Sequence, residues 1–180
     1  MAKTIAIHQP NFFPHLAFFE KMAQSDVFVV MGHCQFEKNG YQNRFFYLDR
    51  WYTMPTEKGL RPICEKQYVK PQTAFEVLVK RLPKLEQFKD CITTSLFKTN
   101  FQIIEQVANF RQIKTQLVFD YPIDLTGTER LVDLCTHYEA DTYLSGPSGA
   151  KYLDIELFHR AGIDVTFQEP SESKPIIDLL

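Results

Sequence analysis

Two short runs of apolar and β-branched residues near the start constrain this chain more tightly than anything else in it. Lys3-Thr4-Ile5-Ala6-Ile7 reads as a strand buried in a sheet, and Asp26-Val27-Phe28-Val29-Val30-Met31 as a second, denser one. Pro10 and Pro14 hold the stretch after the first run out of regular structure, and the residues beyond them predict a helix over 15–24. Strand, loop, helix, strand at this spacing is a βαβ unit, so the two strands lie parallel and are joined by a right-handed crossover.

The last third returns to the same alternation. A strand is expected over 115–119, and Thr126-Gly127-Thr128-Glu129 has the spacing of a capping box. The helix behind it carries Leu131, Leu134, Cys135 and Tyr138 on one face. A short strand over 141–144, a helix over 148–160 stopped by Gly162, and a closing strand over 163–168 complete the pattern. Between the two ends, 44–48 and 51–54 look extended around a Leu48-Asp49-Arg50-Trp51 turn, 61–67 suggests another strand, and helices fit 73–82, 83–91 and 101–110. The expectation is a single α/β domain over 1–180: a doubly wound, mostly parallel sheet with helices on both faces and a partly antiparallel, partly helical insert over roughly 42–110. The polar stretch 169–174 reads as flexible.

Composition narrows the functional classes. Net charge is −2 with a pI near 6.2, so the basic footprint that a nucleic-acid partner would need is missing. Cys34, Cys64, Cys91 and Cys135 are far apart and form no CxxC pair, which fits a reduced, cytoplasmic chain better than a disulfide-stapled or zinc-ribbon one. No signal pattern precedes the first strand, and no apolar run reaches membrane-spanning length. Of the many aromatics, most of the 16 Phe read as core, while Tyr41, Tyr47 and Tyr52 sit among polar neighbours where a pocket wall competes with that reading. His137 and His159 fall on helices as surface or core residues, and the acidic residues form no paired-carboxylate motif for glycoside hydrolysis.

In an open parallel sheet, ligands bind beyond the carboxyl ends of the strands. That rule selects three polar stretches. The first, His8-Gln9-Pro10-Asn11-Phe12-Phe13-Pro14-His15, leaves the first strand and opens the first helix. It offers two imidazoles for proton transfer, and a helix start that favours anions; the plain alternative is a proline-stiffened connection capped by its histidines. The second, Gln35-Phe36-Glu37-Lys38-Asn39-Gly40-Tyr41-Gln42-Asn43-Arg44, follows the second strand. Here Arg44 could clamp a carboxylate or phosphate and Lys38 could add a point charge, unless the stretch is only a solvated hairpin. The third, Tyr143-Leu144-Ser145-Gly146-Pro147-Ser148-Gly149-Ala150-Lys151-Tyr152, runs from a strand through a small-residue turn into a helix. Ser145, Gly146, Ser148 and Gly149 would present backbone N–H groups to an anion, or serve as an ordinary tight turn. No residue set has metal-ligand spacing.

These same segments, together with Ser25-Asp26-Val27-Phe28-Val29, resemble the WbqC-like family in sequence and order over most of the chain, with the region 59–120 matching only loosely. The resemblance implies a bacterial role in O-antigen and related surface-glycan (lipopolysaccharide) biosynthesis, with transfer of an amino acid such as glycine onto a sugar as the suggested chemistry. The chain departs from the family pattern at Gly32-His33-Cys34, where members commonly carry acidic residues, and at His15, often an aromatic. Lys174-Pro175-Ile176-Ile177-Asp178-Leu179-Leu180 resembles the family's closing segment. A weaker likeness is to the paired-histidine loop of nucleotidyltransferases such as pantothenate synthetase, because Pro10 is followed five residues later by His15; Phe12 occupies the place of the first histidine of that pair.

The resulting expectation is an enzyme that moves an acyl or aminoacyl group to an amine or hydroxyl of a small-molecule or nucleotide-sugar substrate. His8, His15 and Arg44 are its expected catalytic residues. Gln9, Asn11, Gln35, Lys38, Tyr41, Gln42 and Asn43 would bind the substrate, and Ser145, Gly146, Ser148 and Gly149 its phosphate. Two alternatives are a non-catalytic sugar- or nucleotide-binding module and an ATP-dependent amide ligase, which would bring ATP and Mg²⁺ with it. Self-association into a homo-oligomer is left open.

Overall fold

The computed structural model describes residues 2–169 and 174–180, so residues 170–173 of the expected flexible stretch lie outside the described residues. Five parallel strands form the main sheet: β1 (Thr4–His8), β2 (Val27–Val30), β5 (Gln116–Phe119), β6 (Thr142–Ser145) and β7 (Asp164–Phe167). Their order across the sheet is β5-β2-β1-β6-β7. The chain winds outward from the central β1 through β2 to β5, then returns to the other side of β1 for β6 and β7. Winding therefore reverses between β1 and β6, where doubly wound sheets open a crevice beyond their carboxyl ends.

Side-chain alternation along the strands feeds two cores. Ala6, Phe28, Val30 and Leu144 face a large core shared with α1 (Leu16–Ala23), α2 (Pro71–Arg81) and α3 (Leu96–Phe110). Ile5, Ile7, Val27, Val29 and Tyr143 face the opposite way, onto Leu134 and Cys135 of α4 (Gly127–His137) and Phe158 of α5 (Ile155–Arg160). Most of the expected Phe core is present: Phe12, Phe13, Phe18, Phe19, Phe28, Phe36 and Phe45 are all buried in the first of these. A separate antiparallel hairpin, β3 (Arg44–Tyr47) and β4 (Arg50–Thr53), stands beside the main sheet.

Several local expectations are corrected. The hairpin turns on two residues, Leu48 and Asp49, both at positive φ (46° and 58°), so Arg50 and Trp51 belong to the returning strand. In place of a strand over 61–67 there is a 3-10 turn at Ile63–Glu65 flanked by isolated bridges. Lys66 stabilises it by donating from a buried ammonium to the carbonyls of Glu57 (2.7 Å) and Gly59 (2.6 Å). Pro83–Cys91 is a 3-10 helix rather than an α-helix, and its buried residues Leu85, Phe88 and Cys91 recur every third position, the period at which a 3-10 helix superimposes its side chains. The helix expected over 148–160 is broken: a 3-10 turn at Pro147–Lys151 precedes α5, which Asp154 caps by accepting from Glu156 N at 3.1 Å. Thr126 does stand at the N-cap of α4, but its side chain makes no cap hydrogen bond. Helix α3 starts five residues earlier than expected, at Leu96, where Ser95 accepts from Lys98 N.

Candidate functional site

His8 is the last residue of β1, paired with Val30, and Met31 N donates to its carbonyl. The chain beyond it is pulled toward the arm that follows β2. Phe12 N donates to the Tyr41 carbonyl at 2.9 Å, and Asn100, fully buried in α3, donates its amide to both the Pro10 carbonyl (2.7 Å) and the Gln42 carbonyl (2.6 Å). Tyr68 closes the set by donating its hydroxyl to Asn100 Oδ1 at 2.9 Å. Buried backbone carbonyls need such partners, so Asn100 locks two loops that lie some thirty residues apart in sequence.

His8 and Gln9 form a ridge between two hollows. The smaller, of about 460 Å³, lies on the α1 side and is bounded by His8, Gln9, Asn11 and His15 from the first loop, Glu37, Tyr41 and Gln42 from the arm, and Gly146, Pro147 and Ser148 from the turn after β6. The three polar stretches therefore meet over a common space at one rim of the sheet. Gln42 donates from Nε2 to Gln9 Oε1 at 2.5 Å, while its own Oε1, like Nδ1 of His15, is buried without a hydrogen-bond partner among the described residues.

Lys21 reaches the same hollow from α1. Only 4% of it is exposed, and its ammonium donates to the Ile7 carbonyl at 3.1 Å. Among the described residues no carboxylate pairs with it. Burial lowers its pKa to about 8. The same burial, followed by repulsion from Lys21, lowers His8 to about 3, against a smaller opposing effect of the Gln9 carbonyl. His8 is thus neutral near pH 7. Its Nδ1 lies 2.9 Å from the Gln9 carbonyl, an acceptor, so Nδ1 carries the hydrogen and Nε2 the lone pair.

The larger hollow, of about 540 Å³, lies on the α4 side of the ridge and is lined by His33, Cys34, Gln35, Thr126, Arg130 and Tyr152, among others. Gly32-His33-Cys34 bends into it around Asp120, at the exit of β5. Asp120 Oδ1 accepts from Gly32 N (2.7 Å) and His33 Nδ1 (3.0 Å), and Oδ2 from His33 N (3.0 Å) and Arg130 Nη2 (2.7 Å). A Cβ at Gly32 would meet the Phe97 ring at 2.5 Å, so no larger side chain fits there without displacing that ring. Cys34 is raised to about 11, by burial first and by Asp120 second.

Not every residue expected at the site lines a hollow. Arg44 donates to the carbonyls of Asn39 and Gly40 and stacks its guanidinium 3.9 Å over Trp51, which builds the arm. Lys38 is exposed outside both hollows. Asn43 is buried and donates to the Met54 carbonyl, and Gln35 belongs to the larger hollow, where it also donates to the Arg61 carbonyl. In the turn after β6, Gly146 and Ser148 line the smaller hollow, while Ser145 is buried and packs against Gly149, where a Cβ would come within 2.0 Å of its hydroxyl. Lys21, Asp120 and Arg130 were not singled out from sequence, and His33 only within Gly32-His33-Cys34, as a departure from the family pattern. Lys21 gave a signal, since it lies three residues after Phe18 on the apolar face of α1; the His33–Asp120 pair, 87 residues apart, gave none.

No helix among the described residues is long and apolar enough to cross a membrane, and no group of three or more His, Cys, Asp or Glu among them is placed to hold a metal ion. The model of the WbqC-like protein family matches residues 9–175. An uncharacterized protein of Mycobacterium tuberculosis (strain ATCC 25618 / H37Rv), Rv1507c, is 27% identical over 188 residues, spanning 92% of this chain and 81% of its own. No solved structure gives a significant match.

Proposed function

The chain belongs to the WbqC-like protein family, and from that premise we propose that it is an enzyme of surface-polysaccharide assembly, transferring an acyl or aminoacyl group such as glycyl to an amine or hydroxyl of a sugar. The observation that carries this reading is Lys21. A buried ammonium without an acidic partner is costly to the fold, and its place in the hollow where three loops converge suits the phosphate or carboxylate of a donor. His15 Nδ1 and Gln42 Oε1, both unpartnered among the described residues, would bind the donor's polar groups beside it. Tyr41, 44% exposed at the rim and 5.5 Å from the Trp51 ring, offers a flat apolar surface to a sugar ring or base.

His8 contributes a neutral ring between the two hollows. While Lys21 is uncompensated, the low pKa of His8 makes it a hydrogen-bond acceptor rather than a base. An anion beside Lys21 removes that repulsion but leaves burial, the larger cause, in place, so His8 remains a neutral ring on the ridge.

The test is calorimetry with inorganic phosphate, UDP and UDP-N-acetylglucosamine, followed by incubation with amino acids, ATP, Mg²⁺ and amino sugars and product detection by mass. Binding that Lys21→Met weakens by roughly ten- to a hundredfold is expected, the range of a charge-assisted hydrogen bond. Anion binding that survives Lys21→Met unchanged removes the site. Binding with no transferred product leaves a sugar- or nucleotide-binding module instead.

A further inference from the structure

The two hollows differ in charge. In the smaller one the buried Lys21 ammonium is paired with no carboxylate among the described residues, with the exposed Glu37 on the same wall; in the larger, Arg130 is neutralised by Asp120 at 2.7 Å and Asp124 adds a further carboxylate. An anionic group is therefore favoured beside the Lys21 ammonium and disfavoured in the larger hollow, which suits a neutral or cationic partner. Both share His8 and Gln9, so the two hollows adjoin along this ridge.

In the larger hollow His33 is prepared for proton transfer. Asp120, its side chain only 1% exposed, already accepts from the backbone of Gly32 and His33 and from Arg130. The Nδ1 of His33 can only donate to it. This sets the ring's hydrogen on Nδ1 and the lone pair on Nε2, and the His33 side chain is 32% exposed. A buried carboxylate that fixes the orientation and tautomer of an imidazole is the arrangement of general-base dyads. The neighbouring thiol of Cys34 is raised to about 11, by burial first, and donates to the Met31 carbonyl at 3.5 Å.

We propose that the larger hollow receives the acceptor, a compound with an uncharged amine or a hydroxyl, and that His33, positioned by Asp120, takes the proton this nucleophile gives up. The inference rests on the acyl-transfer reading and names its base. The acceptor's nitrogen or oxygen forms a bond to the acyl carbon, and the bond from that carbon to the leaving oxygen breaks. The leaving group departs with the electron pair toward Lys21, and the acceptor's proton moves to His33 Nε2 and on to solvent. His33 is a catalytic residue in this scheme and Asp120 a positioning one.

The test uses a surrogate pair, 4-nitrophenyl acetate as donor and glucosamine as acceptor, with the intact chain. The wild type is expected to release 4-nitrophenolate and form N-acetylglucosamine at least tenfold faster than a folded His33→Gln variant, since a positioned base contributes about 10²–10⁴. A variant as fast as wild type, or a wild type no faster than buffer, overturns the proposal. Long-range ¹⁵N correlation spectra give a second readout. Wild-type His33 should carry its hydrogen on Nδ1 and lose that preference in Asp120→Asn; wild-type protonation on Nε2 overturns the proposal whatever the fate of that variant. Phosphate calorimetry reports on the Lys21 hollow separately, so a chain that binds phosphate but shows no His33-dependent transfer loses this inference alone.

Discussion

Lys21 opposes stability where it would serve binding. Its pKa is lowered from 10.5 to about 8, so between those values the unfolded chain binds more protons than the folded one, and stability rises with pH across that window. A shift of this size corresponds to about 3 kcal/mol. Lys21→Met should therefore unfold at higher denaturant concentration than wild type at pH 7 while losing phosphate affinity, a combination that a structural lysine would not give. At the acid end His8 governs the sign. Its folded pKa of about 3 lies below the ordinary 6.5, so the unfolded state is again the better proton binder, and stability falls as pH drops from 6.5 toward 3. Urea midpoints measured across both windows check the two slopes; a flat profile between pH 3 and 6.5 would mean that His8 keeps its ordinary pKa in the fold.

Among the elements, α3 does more for the site than its distance in sequence suggests. Asn100 satisfies the carbonyls of Pro10 and Gln42 and the hydroxyl of Tyr68 at once, and so ties the first loop to the arm. Asn100→Leu leaves the Pro10 carbonyl without this donor, and the Gln42 carbonyl and Tyr68 hydroxyl with only their 3.4 Å contact to each other, and should cost on the order of 3 kcal/mol. It should also quicken hydrogen exchange at Phe12 N, whose bond to the Tyr41 carbonyl depends on the two loops staying together. Stability unchanged in this variant would mean water replaces the amide. The hairpin β3–β4 acts through its aromatic side: Arg44 is stacked on Trp51 and bonded to the Asn39-Gly40 turn, so the residue expected to clamp an anion instead shapes the wall carrying Tyr41. Arginine suits either task, since guanidinium binds carbonyls, carboxylates and ring faces alike; which one it performs depends on what lies nearest.

At the scale of the molecule, reversal of winding between β1 and β6 makes the crevice, and the loops after β1, β2, β5 and β6 furnish both hollows around it. A ligand that binds only the folded chain stabilises it by mass action, by about 2.7 kcal/mol at a hundredfold excess over its Kd. For a chain of this size that is a rise in Tm of roughly 5–10 °C. Phosphate or UDP should produce such a rise in wild type and a much smaller one in Lys21→Met; equal rises would move the anion elsewhere. The parallel sheet with helices on both faces, the rim where the loops meet, and the family itself were all legible in the residues. Dense β-branched runs, proline-braced exits and helix stops act locally, and local signals survive in a one-dimensional string. The partners of those loops were not legible. Arg44 went to Trp51 and His33 to Asp120, and Lys21 was left without an acidic partner among the described residues, because pairing is decided by which polar groups packing leaves within about 3 Å of one another, a distance that separation along the chain does not encode.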